Sequence, residues 1–283
     1  MKVEAKKKNL PVTVVVFEPQ PREFFNPDTA PGRITRFTDK IARLAEAGVE
    51  QVVCLSFNER LRALTADQFV QRLLVDGLGV EFLVVGDDFK FGCDRSGDFA
   101  FLNRSSAQYG FELASMETFS HQEERVSSTK VREVLFDADF DLAEKLLGWP
   151  YSISGKVVHG KKLGRQLGVP TANIQLSGIK SPFSGVFAVE ATSLNRPDEL
   201  KGLSAVANLG IKPTVNGIQP SLEVHIIDDR YQAGADELYS EKLRITFCHK
   251  LRDEQKFDGI DALKTQIECD IQAANVWFAA NKT

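Results

Sequence analysis

From residue 155 to residue 173 the chain reads Gly155-Lys156-Val157-Val158-His159-Gly160-Lys161-Lys162-Leu163-Gly164-Arg165-Gln166-Leu167-Gly168-Val169-Pro170-Thr171-Ala172-Asn173. Four glycines and four basic residues are set between strand-like segments. Glycine lets the backbone approach a phosphate closely, with amide N–H groups aimed at it. Lys161, Lys162 and Arg165 add positive charge. No Gly-Lys-Ser/Thr follows, so this is not a Walker loop. On composition alone, a phosphate loop and a flexible surface loop fit about equally well. At the end of the stretch Thr171 supplies a hydroxyl and Asn173 a carbonyl oxygen, both suited to Mg²⁺ or to phosphate waters. Two residues apart on a strand, they point to one face.

Working outward, residues 152–159, 186–192, 203–209, 221–227 and 243–248 read as strands separated by Gly, Pro and Asn turns. With no helix between them they predict a small antiparallel barrel. Residues 260–281 predict one amphipathic helix, with Leu263, Ile267, Ile271 and Ala274 on one face. In Ser221-Leu222-Glu223-Val224-His225, alternation puts Leu222 and Val224 on one face and Glu223 on the other. That second face is either solvent or a ligand cleft.

The first half has a different rhythm. Residues 12–17 and 52–57 are apolar, β-branched runs of the kind buried on both faces. Cys54 within the second reads as a small core residue. Residues 39–47 form an amphipathic helix ending at Gly48, and 65–76 a helix with Thr65 and Gln68 in a capping box. Residues 82–85 form a third strand, running into Gly86-Asp87-Asp88. Strand and helix in alternation predict a doubly wound parallel sheet, with ligands at the strand ends after Phe17, Phe57 and Val85. The fold class is α/β plus β: an α/β domain over 1–148, then a barrel domain with a terminal helix over 149–283, joined at Trp149-Pro150.

Composition fits this plan. Of 283 residues 43% are hydrophobic and 26% charged, with a net charge of −4. This is enough for two globular domains, and it excludes a general nucleic-acid surface. Lys6-Lys7-Lys8 reads as a solvated helix face. No apolar run reaches transmembrane length, and the charged start lacks a signal peptide's apolar stretch. Cys54, Cys93, Cys248 and Cys269 are scattered, which argues against a disulfide framework or zinc site and for a reduced, cytoplasmic protein. No feature of the sequence specifies an oligomeric state.

Pro170-Thr171-Ala172-Asn173 resembles the Pro-Thr-Ala-Asn signature of riboflavin kinases. Asn208-Leu209-Gly210-Ile211-Lys212-Pro213-Thr214, Leu222-Glu223-Val224-His225 and Leu251-Arg252-Asp253-Glu254-Gln255-Lys256-Phe257 resemble that family's later blocks, so the likeness covers nearly all of 150–275. It implies that Thr171 and Asn173 hold Mg²⁺ and the phosphates of ATP, with Gly160, Lys161 and Gly164 in the phosphate loop. Glu223 would be the general base on the riboflavin 5′-hydroxyl. His225 shares its face without a catalytic role, and His159 is loop scaffold.

The first half resembles the FMN adenylyltransferase module that bacteria fuse to riboflavin kinase. The matching residues are Phe17-Glu18-Pro19-Gln20-Pro21, Gly86-Asp87-Asp88-Phe89-Lys90-Phe91-Gly92 and Ser127-Ser128-Thr129-Lys130-Val131-Arg132. The resemblance implies a flavin site at Gly86, Asp87, Asp88 and Phe89, and ATP-phosphate contacts from Ser128, Thr129 and Arg132. Taken without the family, Ser127-Ser128-Thr129 is a plain helix N-cap. The whole chain is similar to bifunctional riboflavin kinase/FAD synthetases, with riboflavin, FMN and ATP as small-molecule substrates. Such proteins open with a strand and a Gly-x-Phe-Asp-Gly-x-His-x-Gly-His motif. This sequence has only His121, His159, His225 and His249. The expectation is a chain that starts inside the first β-α unit, through truncation or a late-assigned start, and makes FMN but little FAD. The competing expectation is a flavin- or nucleotide-binding protein with a catalytically inactive N-terminal scaffold.

Overall fold

The computed structural model describes residues 1–116, 120–121, 124–160, 164, 168–176, 180–214, 217–231 and 235–281. The chain divides into two compact units, Met1–Ala30 with Ile41–Val126, and Pro31–Lys40 with Ser127–Thr283.

In chain order the first part runs α1 (Lys2–Lys8), β1 (Thr13–Glu18), α2 (Pro21–Phe25), α3 (Phe37–Glu46), β2 (Gln51–Ser56), α4 (Glu59–Arg62), α5 (Ala66–Gln68, continued by a wider turn over Phe69–Val75), β3 (Phe82–Gly86), α6 (Phe99–Tyr109) and β4 (Glu112–Met116). A short antiparallel pair follows, β5 (Ser120–His121) with β6 (Glu124–Arg125). Thr65 caps α5 as expected: its Oγ accepts from the Gln68 N–H at 3.2 Å, and Gln68 Oε1 accepts from the Thr65 N–H at 3.1 Å. The long strands are parallel, β1 beside β2 and β3 beside β4. Among the described residues they form two separate pairs rather than one continuous ladder. Ala66, Phe69, Val70, Leu74, Phe91, Leu102 and Phe111 build the core of this unit. Cys54 is exposed, contrary to its reading as a core residue. Among the described residues β2 has β1 as its one strand partner, and its residues are exposed (Gln51, Cys54, Ser56) or half-buried (Val52, Val53, Leu55) instead of being covered on both faces.

The second unit holds α7 (Ser128–Phe136), α8 (Phe140–Leu147), β7 (Ser152–Val158), β8 (Ala172–Ile174), β9 (Gly185–Ser193), β10 (Leu203–Thr214), β11 (Gly217–Ile226), β12 (Lys242–Arg252) and α9 (Ile260–Asn281). Its six strands close into an antiparallel barrel in the order β10-β11-β8-β7-β12-β9. Closure leaves no free sheet edge. Period-two alternation sends Leu209, Leu222, Val224, Ile245 and Phe247 inward, where they meet Tyr151, Phe183 and Phe187. Val131, Val134 and Leu135 of α7 and Phe140 and Ala143 of α8 join this same core. Each such fully buried aliphatic or aromatic side chain contributes about 1.5–3 kcal/mol.

α9 covers the outside of the barrel. Ala274 and Phe278 pack on Val186, Ala188 and Val206. The face expected from Leu263, Ile267, Ile271 and Ala274 is the covered one, but it also carries a buried carboxylate, Asp270. Arg252 satisfies it with two hydrogen bonds, Nε to Oδ1 at 2.8 Å and Nη2 to Oδ2 at 2.7 Å, and Gln266 adds a third at 2.9 Å. A buried charge needs this degree of pairing.

Candidate active site

Three barrel strands place three polar side chains in a row. Glu223 on β11 stands directly opposite Asn173 on β8 and, on its other side, opposite Asn208 on β10. Same-face neighbours on adjacent strands have Cβ atoms about 4.5–5.5 Å apart. Leu222 and Val224 are each 1% exposed and face the core. The row Asn208–Glu223–Asn173 therefore lies on the outer surface of the barrel, where all three are partly exposed. The alternation read in 221–225 was correct.

Gly160, just past β7, lies over one end of this row. β7 pairs with β8 so that Val158 faces Asn173, and the chain leaving β7 passes over that residue. A β-carbon on Gly160 would overlap the Asn173 carboxamide, and one on Gly164 would press on Thr171 Oγ at 3.3 Å. The Gly164 carbonyl accepts from the Val169 N–H at 2.8 Å. Gly160, Gly164, Thr171, Asn173 and Glu223 are thus brought together. Lys161, with Lys162 and Arg165, lies outside the described residues.

His225 holds the Pro-Thr-Ala-Asn segment in place. Its Nδ1 lies 2.8 Å from the Pro170 carbonyl, which can only accept, so Nδ1 donates. His159 packs against Tyr239, ring centroids 3.9 Å apart.

The sequence assigns no role to Asn208 or Glu254, although both fall within the segments that resemble riboflavin kinases. Asn208 donates to the Glu254 carboxylate, and burial, the dominant influence, raises the pKa of Glu254 above the ordinary carboxylate range. Asn208 Oδ1 is buried and has no hydrogen-bond partner among the described residues. The signal that finds Asn208 is its register with Glu223; nothing in local sequence marks it.

The remaining expected residues form two other groups. In the first unit Gly86 closes β3, and its carbonyl accepts from the Phe89 N–H at 3.2 Å, which makes 86–89 a tight turn. Asp88 pairs with Arg125 at 3.1 Å, Phe89 stacks on Phe91, and Asp87 is exposed. In the second unit Ser127 caps α7, its Oγ accepting from the Lys130 N–H at 3.2 Å. Ser128 and Thr129 occupy the first turn. Arg132 reaches two backbone carbonyls, Gly32 at 2.7 Å and Ser128 at 3.0 Å. A shallow cleft elsewhere in this unit, with Arg33, Asp39 and Lys180 in its wall, shares no residue with the Glu223 row.

The donor set near Glu223 suits a hard cation carried by a nucleotide. No cluster of three His, Cys, Asp or Glu side chains that would bind a metal alone occurs among the described residues. The Thr171 hydroxyl and the Asn173 carboxamide instead offer two neutral oxygens beneath a close backbone approach. Mg²⁺ characteristically takes one or two protein oxygens and completes its shell with phosphate and water. Among the described residues, no helix is long and apolar enough to cross a membrane.

Comparison with known proteins matches both units. The FAD synthetase family model matches residues 1–130, and the riboflavin kinase family model matches residues 147–278. The bifunctional riboflavin kinase/FMN adenylyltransferase of Escherichia coli is 47% identical over 279 residues, covering 99% of this chain and 86% of the relative. The protein of the same description from Pseudomonas fluorescens is 49% identical over 273 residues, covering 95% and 84%. A crystal structure described as a macrolide-efflux protein from Streptococcus pneumoniae superimposes with a TM-score of 0.73 at 27% identity, covering 97% of this chain and 86% of that one. The antiparallel barrel, the α/β unit before it and relatives aligned along nearly the whole sequence lead to one conclusion: this chain belongs to the bifunctional riboflavin kinase/FMN adenylyltransferase family.

Proposed function

We propose that this chain phosphorylates riboflavin to FMN with Mg-ATP on the outer face of its barrel and, against the expectation of little FAD, adenylylates FMN to FAD through its N-terminal region, a reading supported by the FAD synthetase match over residues 1–130 and by the bifunctional relatives. The division of labour proposed is 149–283 for the kinase and 1–148 for adenylyl transfer, in a cytoplasmic enzyme. The observation that carries the kinase reading is the direct opposition of Glu223 and Asn173 in the β8–β11 ladder.

That opposition puts a proton acceptor next to a phosphate-side ligand. Glu223 accepts the proton of the riboflavin 5′-hydroxyl as that oxygen attacks the γ-phosphorus of ATP and the bond to the β-phosphate oxygen breaks, releasing ADP. Thr171 and Asn173 hold the nucleotide side, and the backbone at Gly160 and Gly164 is proposed to approach its phosphates. Mg²⁺ bound with ATP neutralises charge on the transferring phosphoryl group; Thr171 and Asn173 are its proposed protein ligands. Lys161 is proposed to add charge from the same loop. For adenylyl transfer, the turn of Gly86, Asp87, Asp88 and Phe89 is assigned to the flavin, and Ser128, Thr129 and Arg132 to the ATP phosphates. A capped helix start is physically apt for phosphate.

Incubating the full chain with riboflavin, Mg²⁺ and ATP and separating products by chromatography tests this reading. FMN is the expected first product, and FMN supplied with ATP reads FAD synthesis in the same assay. Flavin binding without any FMN formation would favour a binding protein instead.

A further inference from the structure

The row Asn208–Glu223–Asn173 has two ends, and the functional reading uses only one. With the phosphate donor over Asn173, the hydroxyl that attacks sits at Glu223. The rest of the acceptor must then leave on the side away from the phosphates, across Asn208. In riboflavin the group next to the reacting 5′-hydroxyl is another hydroxyl, on the 4′ carbon of the ribityl chain.

Asn208 is prepared for such a neighbour. Its amide nitrogen is committed to Glu254, and its Oδ1 is buried and lacks a hydrogen-bond partner among the described residues. A buried acceptor left unpaired is costly, so an oxygen held this way calls for a donor, and a ligand hydroxyl can supply one. Glu254 fixes which way the amide points. A carboxylate only accepts, so it holds the NH₂ end of Asn208 and leaves the oxygen for the ligand. The backbone is shaped for this contact as well. Gly210, two residues along β10 and on the same face as Asn208, lies so close to the Glu254 carboxylate that a β-carbon there would overlap it.

Resting on the kinase reading, we infer that Asn208 Oδ1 accepts a hydrogen bond from the 4′-hydroxyl of riboflavin, and that Glu254 is the positioning residue that orients it. The pair makes the site a reader of the polyol chain next to the reacting oxygen. Asn208 contacts substrate; Glu254 acts through Asn208.

The test compares kcat/KM of the full chain for riboflavin and for its analogue lacking the 4′-hydroxyl. Wild type is expected to favour riboflavin by about 10–100-fold, the effect of leaving a buried acceptor unpaired. Asn208→Leu keeps the shape, removes the acceptor and should bring the ratio within about 3-fold of unity. Glu254→Gln lets the facing amides pair either way round and should lower the ratio, chiefly by raising KM for riboflavin while the analogue is little affected. If Asn208→Leu does not fold by circular dichroism, Glu254→Gln decides alone. A merely structural role for Glu254 would lower both substrates alike, and that result, or wild-type discrimination in both variants, overturns the inference while leaving the kinase reading standing. Absence of FMN formation by wild type overturns the kinase reading and this inference with it.

Discussion

Gly160 lies against the Asn173 carboxamide so closely that no β-carbon fits between them. The glycine is there because the loop must pass over the residue that faces Glu223, and a side chain would push the two apart. Gly160→Ala should therefore impair the reaction more than the fold. Misplacement by about 1 Å costs on the order of 10²-fold, so kcat/KM for Mg-ATP should fall by about that factor. Thermal unfolding of the same variant should stay close to wild type. Unchanged kinetics would mean that the loop does not set the position of Asn173.

Asp270 should be the most costly polar residue of α9 to remove. Its side chain is 6% exposed and accepts three hydrogen bonds, two of them from Arg252. Asp270→Ala leaves the Arg252 guanidinium without its counter-charge, and breaking such a pair costs about 3–5 kcal/mol. The urea midpoint should drop accordingly, with the slope unchanged. A change below about 1 kcal/mol would mean that water replaces the carboxylate at no cost.

Asp228 makes stability depend on acid. The Arg230 side chain is the main reason its pKa lies far below the ordinary carboxylate value; burial opposes this, and the N–H groups of Ser204 and Arg230 add to the lowering. Its folded pKa is below its unfolded value of about 3.9, so the folded state binds fewer protons there. The stabilisation is present above about pH 4 and is lost as pH falls below that value toward the folded pKa. Wild-type Tm should fall more steeply than that of Asp228→Asn between about pH 4 and pH 2.5. Parallel curves would show that the pairing persists in the unfolded chain.

The barrel and its site were legible to different depths. Alternation around Glu223 was enough to turn Leu222 and Val224 inward and the carboxylate outward, and five of the six barrel strands followed from turn residues, whereas the short β8 (Ala172–Ile174) was not among them. Thr65 and Gln68 announced their capping box. Asn208 was not legible as a partner of Glu223, because only strand register brings together residues fifteen positions apart. Glu254 reaches the site from beyond β12, and no local period encodes that approach. Asp270 sits on the apolar face of α9, where periodicity predicts carbon; its presence depends on Arg252 across the packing interface. Cys54 misled because an apolar, β-branched run reads as buried on both faces, whereas the residues of β2 are exposed or half-buried and, among the described residues, the strand pairs with β1 alone. His225 looked like an accessory on the Glu223 face and turns out to hold the Pro170 carbonyl.

The assignment of Glu223 as proton acceptor is tested most directly by Glu223→Gln in the full chain. The substitution preserves shape and hydrogen bonding but removes the base. FMN formation from riboflavin and Mg-ATP should fall in kcat by about 10²–10⁴-fold, with KM for either substrate altered only a few-fold. A variant that keeps the wild-type kcat would contradict the account, because the carboxylate opposite Asn173 would then not be the group that takes the proton.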